Sequence, residues 1–363
     1  MRQETTKVLY SLHAWTGIVT GVLLFVICFS GAIVVFKHEI DTWANPIARA
    51  APRVAEPVGY DAVLRAVGAH DARFTVDTIL RPTAQMPAYI VFGKSADGAR
   101  LKLAARADTG AVLGPMDSEL GQFLRTLHVF LFFGPRWIVG FMGVVMLALI
   151  VTGVLVHQKV LKDLYTLRWR SSLRLLLSDA HKAIGVWALL FHILIAFTGA
   201  WLGLAPVFIG AMRQLAAAEA PAPVVVASPA APRSAAMPSL DALERRAGEQ
   251  LPDVSLVRVN LSKWGREDAE AAFSGPAPAM LGAYGGIRYR AVDQVLIDRR
   301  TPDQMAFWSR FTGLMEPLHY GDFGGLTLKW LYFILGLSPA LLSITGTWLW
   351  LDRQRSGTAA ATA

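Results

Sequence analysis

The sequence predicts a membrane α-helical protein, with four transmembrane helices in an internal repeat and an outer α+β region of two similar units. Three observations carry that prediction. Four uncharged apolar runs interrupt the chain, at 8–36, 137–158, 183–212 and 330–351. Each reaches the ~20 residues that a helix needs to cross a ~30 Å hydrocarbon core. The phrase LHAWTG, with His13 and Gly17, opens the first run, and DAHKAIG, with His181 and Gly185, opens the third. In both copies a Ser-Gly or Thr-Gly step lies 18 residues past the histidine, at Gly31 and Gly199. A spacing shared by two similar runs marks a repeat. Finally, the two long segments outside the runs each read as a helix followed by β-rich stretches.

Composition agrees. The 363 residues are 54% hydrophobic and 17% charged, against about 25% charged for a soluble protein. The net charge of +8 suggests nucleic acid until its placement is considered. Arg2 and Lys7 precede the first run, Arg353 and Arg355 follow the fourth, and Lys159, Lys162, Arg168, Arg170, Arg174 and Lys182 crowd the short loop between the second and third. That pattern puts both termini and the loop on the cytoplasmic side, leaves about 37–136 and 213–329 outside, and argues for membrane lipid and no nucleic acid. Cys28 is the only cysteine, which excludes disulfides and thiolate iron–sulfur clusters within one chain. Ala48-Arg49-Ala50 resembles a signal-cleavage site, but it lies well past a run too long for a signal peptide, so the first helix reads as an uncleaved anchor. No Walker, HExxH or GxSxG motif occurs, and the glycines of GAYGG (282–286) lack a nucleotide-loop context.

In order, residues 1–40 hold the first span, whose apolar part runs from about Leu12 to Phe36. Residues 41–118 form the first outer unit: YDAVLRAVGAH has helical periodicity, while VDTILRP, AYIVFG and RLKLAARAD read as strands, with Asp108-Thr109-Gly110 as a hairpin turn. Residues 119–158 are an aromatic interfacial segment running into the second span, with Pro135 kinking or starting that helix. A cytoplasmic loop at 159–180 reads as an interfacial helix with Trp169 among its arginines. The third span (181–212) and an Ala/Pro linker (213–238) follow. The second outer unit (239–316) begins with a helix capped by Ser239 and continues with strands LVRVNLSKW, GIRYRAV and QVLIDRR. An outer histidine-bearing loop and the fourth span (317–352) precede a cytoplasmic tail (353–363).

The histidines carry the chemistry. His13, His157 and His181 fall at cytoplasmic ends of spans, His38, His128 and His319 at outer ends, and His192 in mid-membrane; His70 reads as a surface residue. A single histidine at a membrane boundary is ordinary. Here, however, Leu12-His13, Leu127-His128, Ala180-His181 and Leu318-His319 precede all four spans in turn. Imidazole is costly in hydrocarbon unless it binds something. Pairs on facing helices suit bis-imidazole ligation of haem iron, and Gly17, Gly21, Gly31, Gly185 and Gly199 would admit a flat macrocycle. From His13 to the outer end of its helix is ~36 Å, so two haems are expected. The inner one is assigned to His13 and His181 and the outer to His128 and His319, with His157 and His38 as alternative ligands. His192, on nearly the same helix face as His181, either ligates or fills the gap.

The segments 12–41, 125–132 (RTLHVFLF), 179–200 and 317–325 (PLHYGDFGG) resemble the bacterial PepSY-associated transmembrane family over essentially the whole chain. ARADTGAVLG (105–114) is the most typical piece of two PepSY-like outer units. Because that family includes inner-membrane ferric-siderophore reductases of the ferrioxamine type, the resemblance implies two haems b and His13, His128, His181 and His319 as ligands. It also implies electron flow from a cytoplasmic or quinol donor to a ferric siderophore in the periplasm. At Val156-His157 the chain departs from the family's more usual aromatic residues. Trp264, Tyr284, Arg288, Tyr289 and Arg290 are candidate contacts for an anionic iron chelate, weighed against ordinary strand surface. The alternative function is a non-catalytic PepSY membrane protein that binds a periplasmic partner or restrains a peptidase. A transporter fits less well, since the spans hold few acidic residues and no clear broken-helix ion site.

Overall fold

A computed structural model describes residues 3–157, 167–219, 237–305 and 307–361. Lys159, Lys162 and residues 220–236 of the Ala/Pro linker lie outside the described residues. The chain divides into two compact units, one of Met1–Lys37, Gln122–Ala222 and Met315–Ala363, the other of His38–Gly121 and Pro223–Leu314.

The first unit is helical. Its helices α1 (Gln3–Val34), α6 (Arg136–Val156), α8 (Leu189–Glu219) and α11 (Gly325–Ala361) contain four candidate spans, Gln3–Val34, Arg136–Val156, Leu189–Gly210 and Gly325–Ser356. Each is apolar on most faces, as a lipid-facing helix must be: Val19 and Val22 of α1 and Leu190 of α8 are largely exposed. The helices form a ring in which α1 packs on α11 and α6, α6 packs on α8, and α7 (Leu173–Trp187) packs on α11. Where α6 meets α8 the backbones nearly touch. A Cβ on Gly203 would fall 2.3 Å from the Cα of Gly140, the close approach that small residues permit in membranes. The third span departs from the continuous helix expected, because Ala188, with φ −96° and ψ 12°, separates α7 from α8. Of the interfacial helix expected at 159–180, residues 158–166 lie outside the described residues; beyond them Trp169 sits in a turn and α7 begins at Leu173. Between α5 (Leu120–Phe130) and α6, Leu131 and Phe132 adopt φ values of 49° and 65°, and Pro135 caps rather than kinks α6. α8 runs on to Glu219, so the start of the expected linker is helix.

The second unit is one antiparallel sheet of eight strands in the order β4-β3-β2-β1-β5-β6-β7-β8. The strands are β1 (Thr75–Leu80), β2 (Tyr89–Lys94), β3 (Arg100–Ala105), β4 (Val112–Pro115), β5 (Arg258–Ser262), β6 (Glu270–Pro276), β7 (Tyr284–Arg290) and β8 (Leu296–Arg300). The two helix-then-strand units expected from sequence share this sheet. They join at its centre, where β1 pairs with β5 through Ile79 opposite Val259. Strand β6, not expected, fills the second half, and the GAYGG glycines partly belong to β7. Helices α4 (Tyr60–His70) and α9 (Leu240–Gln250) cover one face. Tyr60, Val63, Val67, Leu240 and Leu243 are wholly buried against Ile79, Tyr89, Val259, Phe273 and Tyr289, each contributing about 1.5–3 kcal/mol.

The two helices also cap one another. Asp61 of α4 accepts from the Leu240 N–H at 2.8 Å and from the Ser239 hydroxyl, while Asp241 of α9 accepts from the Asp61 N–H at 3.3 Å. Carboxylates at helix N-termini satisfy orphan donors and complement the dipole. Beside them Arg81 holds Glu244 with two hydrogen bonds and lies 4.7 Å over the Tyr60 ring. Burial pushes the Tyr89 phenol up to about 12.

Strand alternation separates the residues considered for a chelate. Tyr289 is wholly buried in the core and cannot meet a ligand, and Trp264 packs against that core. Arg288 and Arg290 face the other way, paired with Glu270 and Asp293. Tyr284 is exposed.

Candidate functional site: two histidine pairs in the helical unit

Four histidines meet in two pairs. At the end of the bundle that holds the chain termini, the rings of His13 (α1) and His181 (α7) have centroids 6.4 Å apart with planes at 87°. At the distal end the rings of His128 (α5) and His319 (α10, Phe307–Tyr320) are 6.1 Å apart at 26°.

Each ring rests on a Ser-Gly or Thr-Gly step of a neighbouring span. His13 lies against Thr152-Gly153 of α6, His128 against Ser30-Gly31 of α1, His181 against Thr345-Gly346 of α11 and His319 against Thr198-Gly199 of α8. A Cβ added to Gly31 would stand 2.7 Å from the His128 ring; at Gly153, Gly199 and Gly346 the distance would be 3.2, 3.1 and 3.2 Å. Glycine at these positions is the space the imidazoles occupy. Gly31 and Gly199 were visible in the sequence as repeat markers. Thr152-Gly153 and Thr345-Gly346 follow no such repeat spacing, although the same dipeptide step in all four spans is the signal that finds them.

The hydroxyls fix the tautomer. With the Thr345 proton on the Leu341 carbonyl at 2.8 Å, the Thr345 oxygen accepts from Nδ1–H of His181 at 2.8 Å. Thr198 donates to Leu194 at 2.7 Å and accepts from Nδ1–H of His319 at 2.9 Å. Thr152 donates to Ala148 at 2.8 Å and accepts from Nδ1–H of His13 at 3.1 Å, which also reaches the Leu149 carbonyl at 3.1 Å. His128 donates Nδ1–H straight to the Ile27 carbonyl at 2.8 Å. In all four rings the proton is therefore on Nδ1, and Nε2 keeps its lone pair. An imidazole oriented through one nitrogen and free at the other is the arrangement of a metal ligand.

The spacing fits a metal between the rings. Metal–imidazole bonds of about 2 Å on either side place two ring centroids roughly 6 Å apart. Among the described residues no group of three or more His, Cys, Asp or Glu side chains gathers at one point. Each pair thus brings two imidazoles together, and a metal held there would take its remaining donors from a ligand such as a porphyrin. His128 packs 18 residues along α1 from His13, about 27 Å, so the pairs are separate sites at the two ends of the bundle.

The other histidines are placed differently. His192 is buried and donates Nε2–H at 2.7 Å to Ser338, whose proton goes to Leu335. It lies seven residues before Gly199 in α8, between the levels of the two pairs. His157 caps α6 through its own backbone N–H. His38 is exposed on α2 (Lys37–Ala44) in the sheet unit, and His70 is exposed at the end of α4.

Charge differs at the two ends. At the terminal end, Arg168 grips Asp179 with bonds of 2.7 and 2.8 Å, and Arg174 lies 3.4 Å from Asp352. The Arg168 guanidinium holds the Asp179 carboxyl below the usual carboxylate range. At the distal end Arg125 and Arg136 flank the histidines.

A family model for the PepSY-associated TM region matches residues 10–353. The chain belongs to the PepSY-associated TM family. A PepSY-associated TM assignment accounts for the apolar helices as membrane spans and makes the chain a multi-pass membrane protein. The chain is also 32% identical over 255 residues to an uncharacterized protein of Pseudomonas aeruginosa, covering 65% of this chain and 64% of that protein. The match therefore spans somewhat less than two thirds of the relative's length.

Proposed function

We propose that the protein is a transmembrane electron carrier. It holds a b-type haem at each histidine pair and passes electrons from a cytoplasmic or quinol donor to a ferric siderophore outside the inner membrane, releasing iron. The single observation that supports this most is that all four imidazoles present Nε2 with a lone pair while Nδ1 is committed to a backbone or threonine oxygen. Haem at such a site supplies one-electron chemistry with little change in coordination.

The chain's own residues do the rest. His13, His181, His128 and His319 would hold the haem irons through Nε2. Thr152, Thr198, Thr345 and the Ile27 carbonyl orient them, and a hydrogen bond from Nδ1–H makes each imidazole a stronger donor. Gly31, Gly153, Gly199 and Gly346 leave room for the rings. His192 and Ser338 fill the bundle between the two levels. The basic residues at the terminal end orient that end toward the cytoplasm by the positive-inside rule.

The test is a dithionite-reduced spectrum of the full chain purified in detergent, with haem counted per chain. Two b-type haems are expected, one lost in His13→Ala and the other in His128→Ala. Protein without a haem band, or full haem after both substitutions, overturns the proposal. Reoxidation of the reduced protein by a ferric siderophore tests the substrate, and no reoxidation removes that part of the reading.

A further inference from the structure

The distal pair has two cations beside it that form no ion pair among the described residues. Arg125 stands three residues before His128 on α5, so the two share a helix face. Arg136 begins α6, and its carbonyl lies 3.2 Å from a Cβ built on Gly203. Gly203 is one turn of α8 beyond Gly199, the glycine under the His319 ring, so Arg136 sits about 6 Å further out along that helix. Arg125 acts electrostatically on His128, Arg136 on His319, and both on Tyr320. Both arginines are half-buried, and neither forms an ion pair among the described residues. Glu316 and Asp322, on the opposite segment, interact with Tyr320 but come within ion-pair distance of neither arginine. At the terminal end, by contrast, Arg168 and Arg174 are matched with Asp179 and Asp352. Half-buried charges without a partner are unfavourable, and guanidinium groups are the side chains best shaped for carboxylates.

We propose that Arg125 and Arg136 form a carboxylate clamp that fastens the two propionates of the haem held by His128 and His319. This rests on the haem reading above. Haem b carries two carboxylates, and the clamp supplies one guanidinium for each. A haem held there would turn its carboxylate edge toward Arg125 and Arg136.

The same chemistry would suit an anionic ferric chelate, and the experiment separates the two. The full chain is produced in haem-synthesis-deficient cells and loaded in detergent with haemin or with haemin dimethyl ester, whose propionates are capped. Wild-type protein is expected to bind haemin at the distal pair about 10-fold or more tighter than the ester, the size of a charge-assisted hydrogen bond lost. Arg125→Gln/Arg136→Gln is expected to bind both alike there, while haem at the terminal pair is unchanged and reports intact folding. Should that variant load neither site, Arg125→Lys/Arg136→Lys takes its place, and a preference between wild type and none supports the clamp.

A wild-type preference retained in the glutamine or lysine variants overturns the clamp alone. If that preference is retained while reoxidation by ferric citrate slows, the arginines serve an anionic substrate and the propionate assignment falls. Wild-type protein that takes up no haem overturns the clamp together with the function beneath it.

Discussion

The hydroxyls behind the histidines permit a graded prediction. Thr345→Val and Thr198→Val keep side-chain shape but remove the oxygen that accepts from Nδ1–H of His181 and His319. A buried N–H left unsatisfied costs about 1–3 kcal/mol, and 1.4 kcal/mol is about tenfold in affinity. Loss of a second-layer partner of a metal-bound histidine is likewise typically about 10–100-fold, so both routes give the same range. Thr152→Val should do much less, within about fivefold, because His13 keeps the Leu149 carbonyl at 3.1 Å. Ser30→Ala should change haem affinity by less than about threefold: Ser30 spends its proton on Val26 at 2.6 Å, and His128 rests on the Ile27 carbonyl. The assay is haem titration of each full-length variant in detergent, with ligation followed by the reduced α-band. Equal losses in Thr152→Val and Thr345→Val, or loss of distal haem in Ser30→Ala, would refute the tautomer argument.

Further predictions follow from other parts of the structure. Gly31→Ala puts a methyl 2.7 Å from the His128 ring and should weaken distal haem by overpacking worth about 1–3 kcal/mol, while the terminal haem stays; equal loss of both haems in the stoichiometry would contradict this. The terminal rings at 87° and the distal rings at 26° should give two unlike low-spin ferric EPR signals, the more anisotropic from the terminal pair, and His13→Ala should erase that signal alone. Asp61→Ala removes the acceptor for Leu240 N–H and the Ser239 hydroxyl and should destabilise the sheet unit by about 1–2 kcal/mol, read as a lower thermal midpoint with haem content unchanged. Because its folded carboxyl is held low, Asp179 stabilises its helix fully above the usual carboxylate range and loses that contribution as pH falls through the folded value. Thermal midpoints at pH 7 and pH 4 should therefore converge in Asp179→Asn relative to wild type.

The parts of this architecture legible in sequence are those with a local signature. Apolar length marks the spans, and the 18-residue step from histidine to glycine marks the repeat. The Ser239 cap shows in the bond from the Ala242 N–H to its hydroxyl at 3.1 Å. Alternation identifies most strands but misses β6, whose EAAFSGP is rich in small residues and carries both glycine and proline, which read as loop. Its burial comes from β5 and β7 on either side, and no local pattern encodes that. The same holds for the break at Ala188, which has no glycine or proline to announce it. Which threonine holds which imidazole is likewise a matter of packing. His13 leans on Thr152, 139 residues away, and only the folded ring of helices brings the two together. Tyr289 shows the opposite error, since a tyrosine between two arginines reads as surface until the pleat turns it inward.

The first two spans trade supports, with His13 of α1 lying on α6 and His128 ahead of α6 lying on α1. The last two do the same, with His181 on α11 and His319 on α8. Each half of the chain therefore contributes one imidazole and one resting place at both ends, and neither half owns a complete site. Two copies of a half-length chain facing each other across a two-fold axis would rebuild both. The full chain has the design of a fused homodimer, and the two halves of the sheet, meeting at β1 and β5, repeat it. Fusion then frees the halves to differ, and Arg125, standing where the second half has Glu316, shows where they have.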